Sequence, residues 1–516
     1  MTLVGALSVA VAPFLSGGAG RPDAVDGPVV GLAAGLVAVA ALGFTPSKGA
    51  RITAVAGALI ALGVTVRLLV VDLGVGLTGP RLPVLAVGAL AVTAGVGAAA
   101  GSWRVRPVGL IAAVIALVAT VGAPWAAQAV IVESHTHDVR GLEPPAVAER
   151  PTGRQWSWQP SADVVDVVAA GHGVVVATND GGVVALDGLD GREQWRYTRR
   201  GAWIGMLIAS LDRRAVVVTF RSALDTRAQL LVALDAGTGS VRFEKVIRSV
   251  LAEADDVVPG TRTLALRDGE SIAGYDLVTG DERWRWSPPE GCQSPYARAV
   301  RGPSTVFVPV ECSTTLSLAA LDEVTGQERW RHEVGLGPPD GEGQDIYLDG
   351  TTDGAVVSLR IITARALPGS VTSGLFDAET GRQLAHPGTP WTVRARVGPR
   401  PLLEEQDTAA TRAIRSIDLA TGTMTALDVA ACPQRTADAT TTTTYLRVCG
   451  DNGRELTLVV QGLDGTPPTT TQVRLDGSGS LPELKLVPAP GAIVLARGTY
   501  GGTPAPVVGL GEHQGT

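Results

Sequence analysis

The chain has 516 residues, more than one ordinary domain, and 45% of them are hydrophobic. Its charges are unevenly divided, because residues 1–132 carry seven basic and three acidic side chains (net +4) whereas residues 133–516 carry a net charge of −11. This break indicates an apolar part followed by a water-exposed part, and the acidity of the second part argues against nucleic acid as a partner.

The first part, 1–132, is predicted to be a bundle of four or five transmembrane helices. A helix needs about 20 apolar residues to cross the hydrocarbon core of a membrane. Four stretches approach that length: 28–44, 52–71, 82–100 and 107–132. A shorter stretch, 2–15, could be a fifth helix or a cleaved signal peptide, although it lacks the basic residues and the clear cleavage site of signal peptides.

The loops between these stretches predict the orientation of the bundle. Loops 45–51 and 101–106 each hold two basic residues, whereas 17–27 and 72–81 mix Arg with Asp. Because Lys and Arg concentrate in cytoplasmic loops, everything after about residue 133 is expected outside the cytoplasm. Only three of the 43 basic residues are Lys, and together with the abundance of Ala and Gly this indicates a GC-rich bacterial genome. The predicted location is therefore a bacterial plasma membrane, crossed several times, with an extracytoplasmic C-terminal domain.

Residues 133–151 are predicted to be a linker, because they contain three prolines and no apolar periodicity. His135 and His137 lie near two carboxylates and could bind a metal. Metal sites, however, fix three or four ligands, so a polar linker is the simpler interpretation.

A short repeat dominates residues 152–516. An apolar run is followed by Asp, by Gly four residues later and, in several copies, by Trp after four more. The copies occupy 185–195, 233–243, 274–284, 320–330, 375–385, 416–426 and, in degenerate form, 460–470. The repeat residues are Asp187, Gly191, Trp195, Asp235, Gly239, Asp276, Gly280, Trp284, Asp322, Gly326, Trp330, Asp377, Gly381, Asp418 and Gly422. Their glycines are 41–55 residues apart, which is typical of an all-β propeller.

Each copy has the features of a β-hairpin. Asp caps the turn with its carboxylate, and Gly takes the left-handed conformation that the turn requires. The next strand carries Trp, whose apolar face is expected to fill the gap between neighbouring sheets. Upstream apolar runs, such as those within 164–187, supply the remaining strands of a four-stranded antiparallel blade.

The pattern D-x-x-T-G-x-x-x-W resembles the tryptophan-docking repeat of the pyrroloquinoline-quinone-like (PQQ-like) propellers. That family includes quinoprotein dehydrogenases and non-enzymatic assembly scaffolds. The resemblance covers about 152–516 and fades after residue 385, where Trp is lost. Seven turns predict seven blades, and strands at 485–510 paired with 152–158 would complete an eighth and hide a sheet edge. We predict eight blades of four antiparallel strands, with seven as the alternative.

All four cysteines lie in the predicted exterior domain, which fits an oxidising compartment. Cys292 and Cys432 each follow a repeat glycine by 10–12 residues, and the next cysteines follow by 20 and 17. This similar placement favours Cys292–Cys312 and Cys432–Cys449 among the three connectivities. Metal ligation would call for tighter spacing.

No motif in the sequence calls for catalysis, since phosphate-binding loops, nucleophile elbows and zinc helices are lacking. The stretch 340–345 resembles a calcium loop only faintly. We predict a membrane-anchored, non-enzymatic binding or scaffold module that has a protein partner at the outer face of the membrane and no cofactor. A ligand sensor coupled to the helices is the alternative. The resemblance also implies a PQQ-dependent dehydrogenase with calcium in its channel, but the adjacent Cys-Cys pair typical of those enzymes is absent.

Two observations would separate these functions. A scaffold should expose apolar or aromatic side chains on one face, and Trp203 and Trp391, which lie outside the repeat, are the candidates. Core packing is the more common role for both. A dehydrogenase should instead bring acidic and Arg side chains together in the channel.

Overall fold

The computed structural model describes residues 1–15, 18–21, 26–100, 106–137, 143–151, 154–221, 228–248, 257–294, 299–313, 315–334, 344–363, 371–386, 391–405, 413–432, 435–450, 455–475, 484–498 and 503–512. Within these ranges, five α-helices precede 34 β-strands that form eight sheets. The predicted order, a helical bundle followed by a propeller, is confirmed.

The helices form an apolar bundle. They are α1 (Thr2–Val11), α2 (Gly27–Gly43), α3 (Lys48–Gly74), α4 (Arg81–Ala100) and α5 (Arg106–Ile131), with a 3-10 turn at Ala12–Phe14. Among the described helices, α3, α4 and α5 are long and apolar enough to cross a membrane, whereas α1 and α2 are apolar but shorter. Half of the apolar window of α4 is buried, against 17% for α3 and 11% for α5. Helix α4 is therefore the centre of the bundle.

Eight blades follow, each with its first strand at the central channel. Blade 1 has β3 (Val164–Ala170), β4 (Gly173–Thr178), β5 (Gly182–Asp187) and β6 (Glu193–Arg199). Blade 2 has β7 (Trp203–Ala209), β8 (Ala215–Arg221), β9 (Ala228–Asp235) and β10 (Val241–Arg248). Blade 3 has β11 (Val257–Pro259), β12 (Thr263–Asp268), β13 (Ser271–Asp276) and β14 (Glu282–Trp286). Blade 4 has β15 (Cys292–Gln293) and β16 (Val300–Arg301), which both pair with β17 (Thr305–Cys312), then β18 (Thr315–Asp322) and β19 (Glu328–Val334).

The second half of the ring has the same arrangement. Blade 5 has β20 (Gln344–Gly350), β21 (Val356–Thr363), β22 (Val371–Asp377) and β23 (Gln383–Ala385). Blade 6 has β24 (Trp391–Arg394), β25 (Leu402–Glu405), β26 (Ile414–Ile417) and β27 (Met424–Leu427). Blade 7 has β28 (Arg435–Thr440), β29 (Thr444–Cys449), β30 (Glu455–Gly462) and β31 (Thr469–Arg474). Blade 8 has β32 (Leu484–Ala489), β33 (Ala492–Arg497), β34 (Val507–Gly511) and, as its outer strand, β2 (Arg154–Trp158).

The two ends of the propeller meet in blade 8. Strand β2 pairs antiparallel with β34, from Arg154 opposite Gly511 to Trp158 opposite Val507. This pairing satisfies backbone groups that an open ring would leave exposed at a sheet edge. The predicted eighth blade is confirmed, and seven blades is excluded.

In three blades a tryptophan forms a hydrogen bond to the next blade. Trp195 in blade 1 donates its indole N–H to the backbone carbonyl of Ala236 in blade 2, at 2.8 Å. Trp284 in blade 3 donates to Glu323 of blade 4, and Trp156 in blade 8 donates to Gly188 of blade 1, each at 2.8 Å. Each acceptor lies in the hairpin turn that carries the Asp and Gly of the repeat. The residues of the repeat therefore form the contact between neighbouring blades.

The glycine of that turn makes room for the indole ring. Gly239 has φ +72°, and a Cβ atom there would lie 2.6 Å from the ring of Trp195. Both the backbone conformation and the space therefore require glycine. Phe243 takes the place of Trp against Gly280. In blades 5 to 7 the docking residue is absent, and Ala385 occupies the position of Trp in blade 5.

Replacing Trp195 by Ala is expected to lower the free energy of unfolding by about 3–5 kcal/mol, because a large buried ring and an interblade hydrogen bond are lost. Trp195 is 2% exposed. Urea unfolding of the detergent-solubilised chain, followed by circular dichroism, measures the change. Trp203→Ala is the matched control, since Trp203 is 66% exposed and its removal should change stability by about 0.5 kcal/mol or less. Equal losses in the two variants would contradict the docking role.

Candidate functional site

The propeller has two ends, which the strand directions define. We call the end that carries the repeat turns and the first hairpin turn of every blade the turn face. The opposite end, where β6 finishes at Arg199, is called the bundle face. The helical bundle contacts the propeller at the bundle face, and the central channel has its cavity towards the turn face.

Helix α5 continues directly into the propeller. It ends at Ile131, and the next residues form β1 (Val132–His135), which pairs antiparallel with β6 from Val132 opposite Arg199 to His135 opposite Arg196. Residues 133–135, the start of the predicted linker, therefore form part of a strand. The outer strand of blade 1 offers unpaired backbone groups, and a short segment without strong apolar periodicity can still satisfy them.

A buried arginine holds the bundle against blade 1. Arg199 is 1% exposed and donates to the carbonyl oxygen of Gly76, in the α3–α4 loop, at 3.0 Å. Its other nitrogen forms an ion pair with Glu244 of blade 2 at 2.5 Å. Leu77 of the same loop belongs to the hydrophobic core of blades 1 and 2, beside Ala202. An ion pair, a hydrogen bond and apolar packing thus stabilise the contact between the α3–α4 loop and blades 1 and 2. We call it the anchor contact.

The histidines of the predicted linker lie beside this contact. His135 is exposed and lies 3.2 Å from Glu133. Glu133 also pairs with Arg200, and hydrogen bonds from Arg200 and then His135 lower the pKa of its carboxyl group. Over the part of the chain that the structure describes, no group of three His, Cys, Asp or Glu side chains could hold a metal ion. The first part of the calcium-like stretch, 340–343, lies outside the described residues.

The second half of the predicted linker lies across the turn face. We call residues 143–151 the strap. Val147 forms a bridge with Pro490 of blade 8. The carboxylate of Glu149 accepts hydrogen bonds from the hydroxyl groups of Thr441, Thr442 and Thr443 in blade 7. Burial opposes ionisation of Glu149, but these bonds outweigh it and lower the pKa of its carboxyl group.

Beneath the strap is the central cavity, with a volume of about 510 Å³. Its wall is mainly apolar, with side chains from the innermost strands and first turns of the blades. Charged side chains also reach it: Glu149, Arg213, Arg301, Asp353, Arg396 and Asp438. The convergence of acidic and Arg side chains that would distinguish a dehydrogenase is therefore present, and the partners of each group decide what it can do.

The carboxylates of the cavity are already engaged. Asp353 accepts from the hydroxyl of Thr351 at 2.7 Å and from the backbone of Ala355. Asp438 accepts from Arg394, at 2.5 and 2.7 Å. A calcium ion would compete with each of these bonds. All four cysteines are in disulfides away from the cavity lining, so no thiol pair faces a quinone.

Two arginines of the cavity have a different environment. Arg301 donates to the backbone carbonyls of Ala209 and Pro259. Burial, and then the nearby guanidinium of Arg213, lower the pKa of Arg301 to about 10. Burial also lowers the pKa of Arg213. Neither residue belongs to a pattern along the sequence, because the two are 88 positions apart and outside the repeat.

The two candidate tryptophans outside the repeat differ in exposure, and the cysteines form two disulfides. Trp203 lies at the bundle face and is 66% exposed, so it does not pack in a hydrophobic core. Trp391 is half-buried, and the guanidinium of Arg415 lies 4.7 Å from its ring centre. Cys292–Cys312 joins two strands of blade 4, and Cys432–Cys449 fixes the entry to blade 7. These are the pairings that the cysteine spacing favours.

Comparison with known proteins identifies the repeat. The family model described as outer membrane protein assembly factor BamB matches residues 202–430, within the propeller. The computationally designed Ika8 protein is 15% identical with a TM-score of 0.43, and the match covers 71% of this chain and 99% of that one. Dihydro-heme d1 dehydrogenase NirN in complex with DHE is 12% identical with a TM-score of 0.41, over 70% of this chain and 73% of that one. No curated protein matches the chain.

Replacing Arg199 by Leu is expected to loosen the anchor contact, because Gly76 loses its hydrogen-bond donor and Glu244 loses its ion-pair partner. Hydrogen exchange of the full-length chain should then accelerate at least tenfold in 74–78 and 132–135, since a broken buried ion pair costs about 1.4 kcal/mol or more. Arg196→Leu, on the same strand but at an exposed ion pair, should leave this exchange unchanged. Exchange as slow as in the wild type in the Arg199 variant would show that the contact does not depend on it.

Proposed function

We propose that this chain, a member of the PQQ-like β-propeller family, is a membrane-anchored, extracytoplasmic and non-enzymatic binding module that holds a protein partner at the outer face of the membrane. The anchor contact is the observation that carries this proposal. It gives the propeller one orientation, in which the bundle face is occupied by the bundle and the turn face is open to solution.

The turn face offers a rigid surface. Each repeat turn is stiffened by its own Asp, as in Asp276, whose carboxylate accepts from the backbone of Val278 and Thr279 and pairs with Arg283. Val278 is 62% exposed and Leu189, two residues after Asp187, is 43% exposed. Apolar side chains on stiff turns lose little entropy on binding, which favours recognition of a protein surface. The matching family model describes an assembly factor, which is consistent with a protein partner.

The basic loops and the disulfides support the extracytoplasmic side. The test uses single cysteines, since all four native cysteines are in disulfides. In intact spheroplasts, a membrane-impermeant maleimide should label Val278→Cys, in the propeller, and not Pro46→Cys, in the α2–α3 loop. After lysis both should be labelled. Labelling of Pro46→Cys before lysis, with protection of Val278→Cys, would reverse the proposed orientation.

The partner is sought on the turn face. Photo-reactive benzoylphenylalanine at 189 or 278, in the full-length chain in its native membrane, should give one discrete protein adduct. The same residue at 203, exposed at the bundle face, is the matched control and should not give that adduct. An identical adduct pattern at all three positions, or none at 189 and 278 in cells that express the chain, would contradict a binding role of the turn face.

Ligand sensing is a second candidate, and one observation favours it. Because α5 continues into β1 without a linker, any displacement of blade 1 is transmitted to the helix. A sensor would change hydrogen exchange in 74–78 when the propeller is occupied, whereas a passive anchor would not.

A further inference from the structure

We infer that the central cavity binds a small organic anion through Arg213 and Arg301. The ligand class is an acidic group, carboxylate or phosphate, on a compact apolar body. This inference does not depend on a protein partner at the turn face, because the cavity lies within the ring.

Arg213 and Arg301 lie close to each other on the wall of the cavity. No carboxylate of the described residues forms an ion pair with Arg213 or Arg301, although ion pairs are common elsewhere on the propeller. Arg396, the third arginine of the lining, pairs with Asp349. Asp212 is near Arg301 and raises its pKa, by less than burial and Arg213 lower it, while the Oδ1 atom of Asp212 accepts from the hydroxyl of Ser210 and from the backbone of Arg214. Two half-buried guanidinium groups that lie near each other, without a carboxylate partner among the described residues, can bind an anion.

The backbone at Arg213 provides an independent observation. Arg213 lies in the first turn of blade 2, which has the same hydrogen bonding as the first turn of blade 5. The hydroxyl of Ser210 donates to Asp212 in blade 2, and the hydroxyl of Thr351 donates to Asp353 in blade 5, both at 2.7 Å. The next residue in blade 5 is Gly354, with φ +71°. Blade 2 has Arg213 there, with φ +60°, a conformation that residues other than glycine rarely adopt. Strain of this kind often accompanies a functional role, here a guanidinium at the cavity.

The remaining wall defines the body of the ligand. Leu207, Leu211, Val397 and Leu486 line the cavity beside the arginines. A volume of about 510 Å³ accommodates a small organic molecule rather than a folded domain. A guanidinium group binds carboxylate and phosphate groups in the same bidentate manner. The acidic group of the ligand can therefore be either of the two.

The test is isothermal titration of the full-length chain in nanodiscs of neutral phosphatidylcholine, at constant ionic strength. The probes are benzoate, phenyl phosphate and the neutral isostere benzamide. We expect saturable binding of at least one anion and none of benzamide. The tighter of the two anions identifies the ligand as a carboxylic acid or a phosphate ester.

Variants assign the binding to the two arginines. Arg213→Gly, which introduces the residue of blade 5, should weaken anion binding at least tenfold while the thermal midpoint stays the same or rises. Arg301→Met should weaken it similarly. Arg214→Ala, one position along and exposed, should bind as the wild type does. If Arg301→Met fails to fold, because Ala209 and Pro259 lose their donor, Arg213→Gly decides the question alone. Binding of neither anion to the wild type, equal binding of benzamide, or wild-type affinity in Arg213→Gly would overturn the inference.

Discussion

Closure of the ring through blade 8 is the constraint on which the other features depend. Its outer strand comes from residues that precede blade 1, and its other three strands come from the end of the chain. The polypeptide must therefore travel from the end of α5, at the bundle face, to the start of β2, at the turn face. Strand β1 and the strap are the two parts of that path, and both become structural because they pass over surfaces with unpaired polar groups.

The contacts between blades change along the ring. Blades 8 and 1 to 4 place an aromatic ring on the glycine turn of the next blade, whereas blades 5 to 7 lack the docking residue. Between blades 6 and 7 a charged network replaces it: Arg394 of blade 6 pairs with Asp438 of blade 7, and Arg435 pairs with Glu404. Burial, and then Asp438, raise the pKa of the Tyr445 hydroxyl, which donates to Asp438. A paired and hydrogen-bonded network can hold two sheets together, although truncation of any member leaves a buried charge.

The segment between α5 and β2 also orients the propeller on the bundle and covers its cavity. Pairing of β1 with β6 fixes blade 1 to the last helix, and Arg199 adds the α3–α4 loop to that contact. At the opposite end the strap covers part of the channel mouth, so the cavity is enclosed by the blades below and by Val147 and Glu149 above. A propeller on a flexible tether would have neither property.

Local patterns in the sequence were sufficient for the helical bundle, the eight blades, the docking role of Trp195 and Trp284, and the two disulfide pairings. Hydrophobic length, a fixed Asp-x-x-Thr-Gly turn and cysteine spacing each act over a few tens of residues or less, so they can be read along the chain. The strand at 132–135 could not be found in this way, because an edge strand is stabilised by whatever backbone lies beside it, here β6 more than 60 residues later. The charge environment of Arg213 and Arg301 likewise depends on which carboxylates come within reach after eight blades have closed, and only the tertiary structure decides that distance.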